Sequence, residues 1–172
     1  MYKLRQFIRS IKNLVKWFPI IWKDRDWDDY YIWGVLKFKL KNQAEYIGGN
    51  DRYVGAKRDA EIMMLCVRLI DKLQEEYYTM EYQDYREADF NFIPSSYKPE
   101  YFELDIVEKS ENLDDYFKKY PRIYKTVINA DKMPFTRDSK VSIALNIAHI
   151  NHNRARKLLF KLLERNIEGW WD

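Results

Sequence analysis

Trp17, Trp22 and Trp27 fall within eleven residues of this chain, interleaved with Lys23 and Arg25 and followed by Tyr30 and Tyr31. Indole and phenol faces stack on planar rings, and a guanidinium grips phosphate with two parallel donors. The segment has the residue types to hold a base and its phosphates. Trp22, Trp27 and Tyr30 would stack, and Lys23 and Arg25 would meet the charge. The same residues also fit a corner between two helices, in which the tryptophans plug the core and Arg25 pairs with Asp24 or Asp28.

A second polar group runs from Asn146 to Arg156 and holds the two histidines of the chain, His149 and His152, with Asn151, Asn153, Arg154 and Arg156. Burying an uncompensated amide or imidazole costs about 1–3 kcal/mol, and asparagine is a poor helix former. These side chains therefore call for partners. Those can be a ligand, with His149, His152 and Asn153 reading base edges and Arg154 and Arg156 on phosphate. Another subunit, or water and neighbouring helices, would serve equally. Two histidines three apart can also share a metal. Di-iron bundles, however, place a Glu three residues before each ligating His. Here Asn146 and His149 occupy those positions, so no metal site is expected.

Other catalytic chemistry is sparse. The chain has no glycine-rich phosphate loop and no serine-elbow motif. Cys66 lies in a Met63/Met64 stripe as a packing residue. An enzymatic reading rests on carboxylates of different helices, such as Asp28 and Glu61, acting with a metal on a nucleotide.

Helices must position these groups. Leu4, Phe7, Ile8, Ile11, Val15 and Phe18 recur at three- and four-residue spacing and predict an amphipathic helix that ends at Pro19. Its basic face also fits an anionic membrane surface or nucleic acid, although such a stripe more often packs on a bundle. A second helix begins near Asp24–Asp28, where Asp26, Asp28 and Asp29 favour the helix N-terminus, and stops at Gly48-Gly49-Asn50. A third runs from about Ala56 to Tyr78 with a buried stripe at Ala60, Met63, Met64, Val67, Ile70 and Leu73. Residues 83–110, with Pro94 and Pro99 among scattered acids and aromatics, read as an irregular acidic connection with a short extended piece at Phe90–Phe92. Helical spacing returns from Leu113 to Val127, with Pro121 either kinking one helix or opening a second. From Asp138 to Ile167, the positions Val141, Leu145, Ala148, His152, Ala155, Leu159, Leu162 and Asn166 form a heptad-type seam, and a second stripe at Ile143, Ile147, Ile150, Leu158 and Ile167 would let the helix touch partners on two sides. The expected fold is all-α: one domain, residues 1–172, a bundle of about five or six helices with a long C-terminal helix, expected to assemble as a homo-oligomer.

Composition agrees. Apolar residues make up 47% and charged residues 33% of 172, enough for a core and against disorder. A single cysteine fits a reducing compartment, and no stretch is apolar enough to span a bilayer or act as a signal peptide. Charge is segregated. Residues 1–23 carry six Lys/Arg and no acid, residues 75–115 carry 13 acids against three bases, and residues 116–172 carry 12 bases against five acids. Mutual neutralisation within one fold or across a homo-oligomer, or an exposed basic face for phosphates, would each use this pattern.

The segment Trp17-Phe-Pro-Ile-Ile-Trp-Lys-Asp-Arg-Asp-Trp-Asp28, followed by Tyr30-Tyr31-Ile32, resembles a family of small uncharacterised tailed-bacteriophage proteins. The ending Arg156 to Asp172, with Leu162-Leu-Glu-Arg-Asn-Ile-Glu-Gly-Trp-Trp-Asp172, looks like the same family's C-terminus. The resemblance implies a phage or prophage origin and expression in the bacterial cytoplasm. It carries no functional residues with it. In that setting the expected role is non-enzymatic: a sponge for a nucleotide or cyclic-nucleotide immune signal, working without a cofactor. The alternatives are a structural protein that binds a host or phage protein, and a metal-dependent nucleotide hydrolase. Nucleic acid is not the expected partner.

Overall fold

The computed structural model describes residues 2–25, 27–49, 53–98, 100–130 and 140–170. Asp26, Asn50 and the expected helix start at Asp138 lie outside them. The described residues form seven α-helices and one β-hairpin. The fold is predominantly helical, and the all-α expectation is corrected by the hairpin. Contacts cluster in two compact units, residues 1–74 with 158–172, and residues 75–157.

In the first unit, α1 (Tyr2–Ile21) carries Pro19 in its last turn and runs two residues beyond it. A proline so close to the end removes only one helical hydrogen bond, and Trp22 N–H still donates to the Phe18 carbonyl at 2.8 Å. The Asp28 side chain caps α2 (Asp29–Gly48) by accepting from the Tyr30 amide at 2.9 Å. Gly55, with φ of +98°, precedes α3 (Ala56–Gln74). Along α3 the expected stripe is buried at Met63, Val67, Ile70 and Leu73, and Cys66 joins it at the centre. It packs on Leu40, Ala44 and Ile47 of α2, and a Cβ on Gly48 would come within 2.9 Å of the Ala60 Cβ. Buried Asp59 accepts from the Tyr53 hydroxyl at 3.0 Å and from the Arg58 guanidinium at 3.1 Å. Leu159, Leu163 and Trp170 add buried apolar groups from the C-terminal stretch.

The second unit opens with α4 (Tyr77–Met80), entered through Glu76 in a left-handed conformation, and a 3-10 turn over Glu81–Tyr85. Strands β1 (Arg86–Pro94) and β2 (Phe102–Glu111) then pair antiparallel, with a bulge at Glu87/Ala88. The irregular connection expected over 83–110 is thus mostly a hairpin. Its period-two alternation pairs Phe90 with Ile106 and Phe92 with Leu104 across the strands, and Lys109 bonds Asp89 at 2.7 Å. Pro121 opens α6 (Pro121–Ile128) at its first turn, separating it from α5 (Leu113–Lys119).

The long helix α7 (Lys140–Asn166) gives its residues up to Lys157 to this unit. Its buried seam is Ala144, Ile147, Ala148, Asn151 and Ala155, while Leu145 is exposed. Of the expected seam in this half of the helix, Ala148 and Ala155 are buried, Val141 and His152 are half-buried and Leu145 is exposed, and Ala144, Ile147 and Asn151 complete the buried face. The core unites Ala144, Ile147 and Ala148 with Tyr82, Leu113, Tyr116, Phe117, Ile123 and Val127.

Glu81, almost wholly buried, organises the polar side of this core. Lys119 Nζ pairs with its carboxylate, the Tyr120 hydroxyl donates to Oε2 at 2.6 Å, and the Tyr77 hydroxyl donates to Oε1 at 3.4 Å. Burial, then the Glu81 charge, raises the Tyr116 hydroxyl pKa, and burial together with the Glu81 hydrogen bond raises that of Tyr120. The Glu81 hydrogen bond raises Lys119 as well. Groups raised above their unfolded values favour the folded state while protonated. Their stabilisation is complete below about pH 10, the unfolded tyrosine value, and is lost above it. Urea unfolding monitored across neutral and alkaline pH should show stability holding up to that point and falling beyond it.

Candidate functional site

The ends of α1, α2 and α3 in the first unit enclose an open cavity of about 430 Å³, within the ~300–1,000 Å³ usual for small-molecule sites. From α1 and the residues after it come Pro19, Ile20 and Lys23. One face of α2 supplies Tyr30, Tyr31, Gly34, Lys37, Phe38 and Lys41, at successive three- and four-residue steps. Val67, Asp71 and Gln74 of α3 line the far side with the same periodicity.

A hydrogen-bonded bridge fixes the α2 and α3 walls. Lys37 Nζ donates to Asp71 Oδ1 at 2.9 Å and to Gln74 Oε1 at 2.8 Å, and Gln74 Nε2 donates to the Tyr30 carbonyl at 3.0 Å. Lys23 and Lys41 border the same space, and no carboxylate among the described residues pairs with either. Tyr30 and Tyr31 meet edge to face at 5.6 Å, and Phe38 meets Trp17 edge to face at 4.8 Å, which orients the ring wall. A Cβ added at Gly34 would find nothing within 4 Å, so this glycine leaves room in the middle of a helix. Chemically, the cavity offers ring faces for a planar group, ammonium groups for an anion, and an amide and a carboxylate for polar edges.

Of the residues expected to form this site, Lys23 and Tyr30 line the cavity, whereas Trp22, Arg25 and Trp27 do not. Trp22 is exposed and tilts against Phe18 at 5.3 Å, and Trp27 is exposed. The Arg25 guanidinium donates to the Asp24 carbonyl at 2.6 Å. The core-plug reading fails for Trp22 and Trp27, and Trp17 is the member of the trio that packs against a helix. Lys37, Phe38, Lys41, Asp71 and Gln74 were not anticipated. Their signal was the shared helical spacing on α2 and α3.

The expected 146–156 patch belongs to the second unit. His149, Asn153, Arg154 and Arg156 are exposed, and Arg156 donates to Asn153 Oδ1 at 3.2 Å. Asn151 is buried, with Nδ2 unbonded among the described residues, as is Nδ1 of half-buried His152. Burial, then the Arg156 charge, lowers the His152 pKa. Asn146 Nδ2 bonds back to the Ser142 carbonyl at 2.8 Å. Among the described residues no three His, Cys, Asp or Glu side chains converge as a metal site would require. Cys66 is buried, which raises its thiol pKa to about 11, out of the nucleophilic range at neutral pH. Asp28 is engaged as a helix cap, and Glu61 lies on a different, smaller cavity beside Arg68.

No family model, no curated protein and no solved structure matches the chain.

Proposed function

We propose that this protein is a non-enzymatic receptor for a nucleotide, held in the α1–α2–α3 cavity. The observation that carries this reading is the joint lining of one cavity by three rings (Tyr30, Tyr31, Phe38) and three ammonium groups (Lys23, Lys37, Lys41). A base packs against tyrosine and phenylalanine faces because every base has a π-face, and phosphate answers the lysines. Gln74 and Asp71 offer the donor and acceptor that read a base or ribose edge. A volume of about 430 Å³ suits a mononucleotide-sized ligand, cyclic or open, better than a dinucleotide.

The resemblance to small tailed-phage proteins supports a specific use: sequestering a nucleotide signal of the host's defence in the bacterial cytoplasm. The 146–156 patch remains a second candidate contact surface, with Arg154 and Arg156 available to anions. The reading is tested by heating the purified protein and identifying the released small molecule by mass spectrometry. A nucleotide released from the unaltered protein, and absent from a Lys37→Met/Lys41→Met variant, is the expected result. A non-nucleotide ligand released in its place contradicts the proposal.

A further inference from the structure

Helix α1 is attached to the protein by the wrong side for a core helix. Trp17 and Ile20 alone among its described residues are even half-buried. Trp17 packs on Phe38, and Asn13 and Trp17 border a crevice shared with Asn42, Gln43 and Tyr46 of α2. At 3.6 residues per turn, the apolar stripe centres about 150° around the helix from the Asn13–Trp17–Ile20 face. That stripe, including Leu4, Phe7, Ile11, Leu14, Val15 and Phe18, is exposed along its whole length. The expectation that it packs on the bundle is thereby overturned. Trp22 extends the stripe just beyond the helix and is 72% exposed.

The charges choose the occupant. Lys3, Arg5, Arg9, Lys12 and Lys16 are the only charged residues of α1, and all are cationic. Lys3 borders the stripe on one side and Arg5 and Lys12 on the other, where long stems can lie along apolar surface with their heads in a polar layer. Pairing α1 with α1 of a second copy would bring like charges together. A nucleic-acid backbone would answer the charges and leave the apolar side chains in water. An anionic lipid surface meets both demands: the stripe enters the headgroup–acyl boundary, and the bordering Lys3, Arg5 and Lys12 meet lipid phosphates, while Lys16 lines the crevice against α2. We infer that α1 is an in-plane anchor that docks this protein on anionic bilayers. No helix among the described residues is long and apolar enough to cross one, so docking on the surface is the mode that fits.

The test is flotation of the full chain with phosphatidylcholine vesicles, with and without about 30% phosphatidylglycerol. The protein should float with the anionic vesicles and stay behind with the neutral ones. Ile11→Asp should abolish flotation, and Lys12→Ser should weaken it about fivefold, the effect of removing one basic residue near a charged surface. Both variants should keep the parent's circular dichroism, because both side chains are exposed. Should Ile11→Asp perturb the fold, Lys3→Glu/Lys12→Glu, which reverses the charges on both borders and spares the stripe, must still release the vesicles. Three results would overturn the inference: no flotation, flotation indifferent to these variants, or a lipid-free dimer dissolved by Ile11→Asp in a protein that ignores vesicles. The last would assign the face to a second copy.

Discussion

Lys119→Met is expected to destabilise the second unit by about 3–5 kcal/mol, because it strands the Glu81 carboxylate in a site where water does not reach it. Glu81 is 4% exposed, and Lys119 supplies the charge that answers it, while Tyr120 and Tyr77 supply hydrogen bonds. The opposite truncation is milder. Lys119 is about half exposed and can turn to water when Glu81 is removed, so Glu81→Leu should cost nearer ~1–3 kcal/mol, the penalty of orphaning the tyrosine hydroxyls. The asymmetry identifies a buried charge rather than a lost contact. Urea unfolding of both single variants and the double Glu81→Leu/Lys119→Met measures it. The double variant should recover most of the Lys119→Met loss. Equal effects of the two single changes would mean that the carboxylate is not held as a buried anion.

Gly34→Trp is expected to remove ligand binding while leaving the fold intact. The glycine lines the cavity, and a side chain there meets no protein atom at its root, so an indole would occupy the space of the ligand's ring. Affinity should fall at least about 100-fold, equivalent to ~2.7 kcal/mol. Gly34→Ala provides the control. It should bind nearly as the parent does and gain up to about 1 kcal/mol of stability from better helix propensity. Calorimetric titration and thermal unfolding of the pair separate the two effects. Parent-like affinity in Gly34→Trp would place the ligand elsewhere.

Sequence periodicity resolved the helices better than their partners. The α1 stripe was legible as a stripe, but nothing local distinguishes a face packed on protein from one left for a surface outside the chain. In α7 the three–four spacing admits two adjacent frames. Ala148 of the expected seam and Ile147 of the second stripe are buried and Val141 packs at the core's margin, while Leu113, Tyr116 and Ile123 select Ala144 over the exposed Leu145. The hairpin was masked by its charge. Phe102, Leu104 and Ile106 alternate with Glu103 and Asp105 at strand period, but the prolines and acids around them resemble a loop.

The candidate site was legible in part for a related reason. Lys23 and Tyr30 stood out because they sit in an unusual cluster. Lys37, Lys41, Asp71 and Gln74 look like solvated helix positions, and only the packing of α2 against α3 brings them around one cavity.

Calorimetric titration of ligand-free protein shows whether the α1–α2–α3 cavity holds a nucleotide. The panel should contain cyclic mononucleotides, open mononucleotides and ADP-ribose derivatives. Saturable heat is expected with at least one of them, at one site per chain and lost in Gly34→Trp. No heat with any member, or heat unchanged in Gly34→Trp, would contradict it.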